Sequence, residues 1–185
     1  MHVGSNFLLV AALAVFSSSA LAGTRYVNVG LATGANNGSS WADAHRGADG
    51  VAVALGLAVA GDQIWVAGGT YLASTAGTRS ATHTLRNNIE VYGGFAGFES
   101  TLAQRNVLAN PTILSGDLAG NDGSSIFTDN SFHVVSGAGT NATAVLDGFT
   151  VRSGNANGAG ANEDRGGGIL CVGGVAPTVR QTKFL

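Results

Sequence analysis

Leu146-Asp147-Gly148-Phe149-Thr150-Val151 is the stretch on which the fold turns. Along an extended strand, side chains alternate between two faces, so only residues an even number apart share a side. Phe149 and Val151 obey that spacing; Leu146 and Phe149 do not. A bend at Asp147-Gly148 resolves the conflict and turns all three apolar side chains toward one interior. Asp-Gly is also a hairpin dipeptide, but here it joins two runs with no residue to spare. The stretch predicts a corner, where the chain passes from one sheet to the next.

Short apolar runs recur on either side of this corner: 25–29 (RYVNV), 63–67 (QIWVA), 88–92 (NIEVY), 112–114 (TIL), 132–135 (FHVV), 143–146 (TAVL), 149–151 (FTV), 168–172 (GILCV) and 177–179 (PTV). Strands this brief are stable only when many of them stack. An antiparallel sandwich or jelly roll competes with a solenoid of stacked coils. Two features favour the solenoid. Successive runs are often near twenty residues apart, in roughly the range of stacked repeats, and hairpin dipeptides are scarce between neighbouring runs, since Asn37-Gly38 and Asp122-Gly123 fall in long loops. One segment, 48–60 (ADGVAVALGLAVA), reads as a helix with Val51, Leu55 and Val59 on one stripe. Gly50 and Gly56 weaken it by roughly 1 kcal/mol each, so packing must hold it. Stacked strands leave unpaired edges, and this helix is expected to cap the N-terminal one.

The composition agrees. The chain has 185 residues, of which 45% are hydrophobic, 11% are charged and 29 are glycine. The apolar share argues against disorder. A net charge of -2 gives no basic surface for nucleic acid or an anionic membrane. Cys171 is the single cysteine, so no internal disulfide can form, and its neighbours Ile169-Leu170 and Val172 predict a small buried hydrophobe. Residues 7–16 (FLLVAALAVF) are too short to span a bilayer. Ser17 to Ser19 and then Ala20-Leu21-Ala22 follow, which reads as a signal peptide cleaved after Ala22. No Lys or Arg precedes Phe7, a departure from the usual leader. The expected location is secreted or cell-surface.

At this point the residues resemble a known family. Trp41, Ala44, the small-residue helix, then Gly61-Asp62-Gln63-Ile64-Trp65-Val66-Ala67-Gly68-Gly69-Thr70-Tyr71 and Val91-Tyr92-Gly93-Gly94-Phe95 resemble the start of secreted bacterial β-helix proteins of the pectin-lyase-like superfamily. Gly166-Gly167-Gly168-Ile169 is similar to the repeat of polymorphic outer-membrane proteins. In that repeat a Phe-x-x-Asn element follows, which Thr182-Lys183-Phe184-Leu185 would begin. The resemblance implies an all-β, right-handed parallel β-helix with a short N-terminal capping helix, truncated at its C-terminal end. The expected organisation is a signal peptide over 1–22, a strand and capping helix over 23–62, and the first coils over 63–185.

Chemistry is sparse. Lyases of this superfamily resemble one another in calcium-binding Asp clusters with a basic residue that abstracts a proton. Arg152 lies beside Thr150 with no aligned Asp or Lys, and reads as a solvated surface residue. Glycoside hydrolysis needs two facing carboxylates, and Asp117, Asp122, Asp129, Glu163 and Asp164 lie in loops. Asp117, Asn121, Asp122 and Asp129 are the candidate calcium ligands, because oxygen donors among glycines suit that ion. An Asx-rich turn that bonds its own backbone is the preferred reading of that loop. The four histidines lack metal-ligand spacing, and no catalytic residue is assigned. The expected function is a non-catalytic, adhesin-like surface module in contact with extracellular polysaccharide or a cell-surface ligand. The alternative is part of a polysaccharide lyase or glycoside hydrolase whose site lies in further coils.

Overall fold

The computed structural model describes residues 22–174 and 176–185. The expected export segment, 1–22, lies outside the described residues apart from Ala22. Strands dominate: β1 (Thr24–Val27), β2 (Gln63–Ala67), β3 (Gly69–Leu72), β4 (His83–Thr84), β5 (Glu90–Phe95), β6 (Thr112–Ser115), β7 (Val135–Ser136), β8 (Val145–Asp147), β9 (Thr150–Arg152), β10 (Ile169–Leu170), β11 (Thr178–Arg180) and β12 (Lys183–Phe184). A single α-helix among the described residues, α1 (Gly50–Leu57), lies between β1 and β2.

The strands form three sheets, and every pairing is parallel. Sheet one runs β1-β2-β5-β8-β11, sheet two β3-β6-β9-β12, and sheet three β4-β7-β10. From β2 onward the chain visits sheets one, two and three in turn, then begins again. Such stacking places each residue over its counterpart one circuit earlier. In sheet one Ile64, Val91 and Leu146 form one inward column, and in sheet two Tyr71, Leu114 and Val151 form another. All six are at most 1% exposed and belong to one core, which His83 and Val135 of sheet three close. Parallel sheets of this kind are stable when both faces are covered.

The corner at Asp147-Gly148 is present. Leu146, Phe149 and Val151 are all buried in the shared core, with Ile169 packed against it. Gly148 has a φ of 87°, and a Cβ there would lie 2.9 Å from the Gly93 carbonyl oxygen and 2.8 Å from the Arg105 guanidinium. Only glycine fits both the dihedral and the space.

Three expectations change. The helix is shorter than 48–60, ending at Leu57, so Val59 lies beyond it; Gly50, Val51, Ala54 and Leu55 are its buried residues. It packs on β1, β2, β3 and β4, and Arg86 donates to the Leu55 and Ala58 carbonyls at 3.1 and 2.9 Å, meeting acceptors its last turn leaves open. Stacked positions are not near twenty apart: Gln63, Glu90, Val145 and Thr178 share one column, because the intervening loops differ in length. Cys171 is exposed rather than buried, since it follows β10, an edge strand of sheet three with no neighbour on its outer side among the described residues.

His83 is a polar member of the core. It is fully buried, and neither ring nitrogen has a hydrogen-bond partner. Burial pushes its pKa down to about 4, so it is neutral in the folded protein.

The face assignment is testable by urea denaturation. Phe149→Ala should cost about 3–5 kcal/mol through lost burial and the cavity left behind. Arg152→Ala, at an exposed position, should cost no more than about 0.5 kcal/mol. Equal losses would mean that the faces of β9 are assigned wrongly.

Candidate functional site

Each long connection from sheet two to sheet three leaves at the same corner. Residues 73–82, 116–134 and 153–168 therefore lie over one another, tied by backbone bonds: Phe132 N–H to Arg79 O at 2.9 Å, Gly116 N–H to Arg152 O, at the end of β9, at 2.9 Å, and Asn155 N–H to Ser131 O at 2.8 Å. The approach is close enough that a Cβ on Gly116 would collide with the Ser153 carbonyl oxygen.

Arg79 clasps the three loops. Its Nε donates to the Asn130 carbonyl at 2.6 Å, and its Nη2 donates to the Asn155 carbonyl at 3.2 Å and to Asn157 Oδ1 at 2.6 Å. Its guanidinium also lies 4.2 Å from the centre of the Phe132 ring, a cation–π contact. The planar fork of arginine suits this multiple role better than a lysine would.

Between the second and third loops lies an open groove of about 430 Å³, lined by Asp122, Phe127, Asn130, Ser153, Gly154, Asn155 and Leu185. Phe127 is 48% exposed, an aromatic face available to a ligand. Asn155 is fixed by its Nδ2 donating to the Phe127 carbonyl at 2.7 Å, and Asn130 Nδ2 donates to Asp122 Oδ1 at 3.0 Å. Asn130 is 2% exposed, yet its Oδ1 has no hydrogen-bond partner, and neither does the buried Ser131 Oγ beside it. Such atoms cost roughly 1–3 kcal/mol each when left unpaired.

The candidate calcium ligands Asp117 and Asp129 accept backbone N–H groups of their own loop. Asp117 accepts the Asn121 and Asp122 N–H groups at 2.9 and 3.3 Å, and Asp129 accepts that of Ala119 at 3.1 Å. With its amide oriented as its neighbours require, Asn121 donates to Asp129 Oδ1 and the Ile126 carbonyl. The loop thus bonds to itself. Among the described residues no three His, Cys, Asp or Glu side chains are grouped to hold a metal. Asp122 alone of the five loop carboxylates lines the groove. Glu163 accepts the Gly160 N–H, and Asp164 pairs with Arg165 at the surface. His133 contacts the Gly166 carbonyl at 3.2 Å.

A second group was not recognised as a unit from the sequence. On the outer face of sheet one, Tyr26, Trp65 and Tyr92 occupy successive positions of one column, which continues to Asp147 and Arg180. Phe95 stacks on Trp65 at 4.7 Å, and Trp41 packs on Tyr26 at 4.8 Å. Trp41 Nε1 donates to the Glu99 carbonyl, while the buried Glu99 carboxylate accepts three N–H groups, from Ala96, Gly97 and Phe98. Burial alone would raise the Glu99 pKa, but those bonds hold it below its usual value. Arg105 lies over Tyr92 at 5.1 Å and pairs with Asp147 at 2.9 Å. Loops therefore cover this face, and its aromatics form a second core rather than an open platform. The aromatic that recurs in each of the runs 25–29, 63–67 and 88–92 was the available signal.

No family model, curated protein or solved structure matches the chain. Among the described residues, no helix is long and apolar enough to cross a membrane.

The clasp gives a measurable expectation. Arg79→Ala should lower stability by about 1–3 kcal/mol through lost charge-assisted bonds and speed amide exchange at 130–132 and 155–157. Sheet-one amides should stay protected. Unchanged exchange in the loops would remove Arg79 from its bridging role.

Proposed function

We propose that this chain is an exported right-handed parallel β-helix module whose groove contacts polysaccharide without cleaving it. The cyclic order of three parallel sheets supports the β-helix reading, as do α1 packed on the first strands and the resemblance to pectin-lyase-like proteins. The leader-like residues 7–22 support export to the cell surface or beyond.

The observation that carries the binding proposal is the groove at the loop corner. Sugars present apolar C–H faces and rings of hydroxyls, so they are recognised by an aromatic surface flanked by fixed polar groups. Phe127 supplies the former; Asn130, Asn155, Ser153 and Asp122 supply donors and acceptors. One lining carboxylate favours contact over hydrolysis, which requires a facing pair.

The test is binding to a panel of polysaccharides, pectate and alginate included. Phe127→Ala removes an exposed ring, so the fold should survive while affinity falls about tenfold or more, equivalent to about 1.4 kcal/mol. Absence of binding to every polymer, or equal binding by the variant, would overturn the proposal. Release of unsaturated product would instead favour a lyase.

A further inference from the structure

Asp62 is buried in the turn between α1 and β2, yet it has three partners from separate parts of the chain. Its Oδ2 accepts the Val59 N–H at 2.9 Å and the Arg25 Nε at 2.7 Å, and its Oδ1 accepts the Gly23 N–H at 2.8 Å. The last of these matters because Gly23 directly follows Ala20-Leu21-Ala22, the small-residue site at which the proposed leader would be cut. Ala22 and Gly23 are both exposed, while Asp62 is 2% exposed. A backbone nitrogen that a leader peptidase would release therefore already rests on a buried carboxylate.

We propose that removal of the leader completes this site: the new Gly23 ammonium forms an ion pair with Asp62, and processing thereby fastens the N-terminal strand to the body of the fold. The step is hydrolysis by a peptidase acting on exported proteins. Water adds across the Ala22–Gly23 amide, the C–N bond breaks, Ala22 leaves as a carboxylate, and Gly23 keeps its nitrogen as an amine that is protonated at neutral pH. A neutral N–H donor becomes a cation, which adds Coulomb attraction to a bond that the ionised carboxylate already makes charge-assisted. This inference rests on the export reading above.

The position of Gly23 makes the pairing effective. Gly23 O accepts the Gln63 N–H at 2.9 Å, and β1 pairs with β2 from Thr24 and Gln63 onward. The terminus is thus held in register with the strand that follows Asp62. Burial would raise the Asp62 pKa, but its bonds from Val59, Arg25 and Gly23 hold it below the usual value, so it is ionised and available. The other titratable groups around it are Arg25, His45 beneath Gly38, and Glu90, the partner of Gln63 on β5. Arg25 opposes the ammonium, and Asp62 and Glu90 favour it. His45 is held neutral, by burial first and then by Arg25.

The pH dependence follows in sign. A group whose folded pKa is raised contributes stability that is present below its unfolded value and is lost as pH rises through the folded one. An ordinary α-amine titrates at about 7.7–8.0, so the contribution should vanish at mildly alkaline pH.

The experiment expresses the full chain with its own leader, purifies the exported product and sequences its N-terminus. Its amines are then labelled by reductive [13C]methylation. Lys183 is the chain's single lysine, so the processed protein carries two labelled amines, and Gly23 is resolved directly by NMR. In the folded wild type the Gly23 amine should titrate at least about half a unit above the ordinary range, and Asp62→Asn should remove that shift. Because Asp62→Asn also loses the Val59 bond and can unfold the turn, Arg25→Gln serves as a second variant, in which the shift should persist. An ordinary titration in a product that begins at Gly23 would overturn this inference and leave export standing. An exported product that begins elsewhere would overturn this inference and leave export standing, whereas Met1 retained on cytoplasmic protein would overturn both.

Discussion

Parallel register is the constraint on which the molecule depends. When a strand lies on its counterpart about 4.8 Å away, each side chain meets the residue at the same position one circuit before. The arrangement is stable only if every position along a column wants the same surroundings. Ile64, Val91 and Leu146 do so on the inside, and Tyr26, Trp65 and Tyr92 on the outside. A slip of one residue would exchange these columns, placing aromatic rings in a space packed for aliphatic side chains. The corner at Gly148 follows from the same demand, since Leu146 and Phe149 can both face inward only if the chain turns between them.

Stacking also decides where variation is tolerated. The positions inside a column cannot change independently, but the loops that leave a corner can lengthen freely. The chain uses this at the passage from sheet two to sheet three, where three long connections collect. What would be separate loops become one surface because Arg79 bonds to two of them from the third. The groove is therefore built on a rigid frame although none of its lining residues belongs to a strand. The end of β5 and the loop after it serve a different purpose, covering Trp65 and Tyr92 with Phe95, Leu102 and Arg105.

How much of this was legible in the sequence differs by element. The corner could be read because Leu146, Phe149 and Val151 violate period-two alternation in a way that only a bend repairs. β3 was missed because Gly68-Gly69 follows directly on QIWVA, so the second strand of that circuit looks like a turn after the first. β4 has two residues, and its inward one is His83, which carries no apolar signal. Cys171 was placed inside on the strength of its neighbours, whereas burial there depends on a strand stacked above β10. The groove was not legible at all: Phe127, Asn130 and Asn155 come together through stacking, and no local spacing records it. The Asp117–Asp122 loop was legible as an Asx-rich turn, because the N–H groups that bond to Asp117 lie within the same few residues.

The central claim is that Asp147-Gly148 is a corner between parallel sheets and not the turn of a hairpin. Cross-strand backbone NOEs decide this most directly. The account predicts contacts in the parallel pattern from Leu146 to Val91 and from Val151 to Leu114, with no close Hα–Hα pair between 145–147 and 150–152. Strong Hα–Hα cross-peaks between those two segments would show an antiparallel hairpin and contradict it.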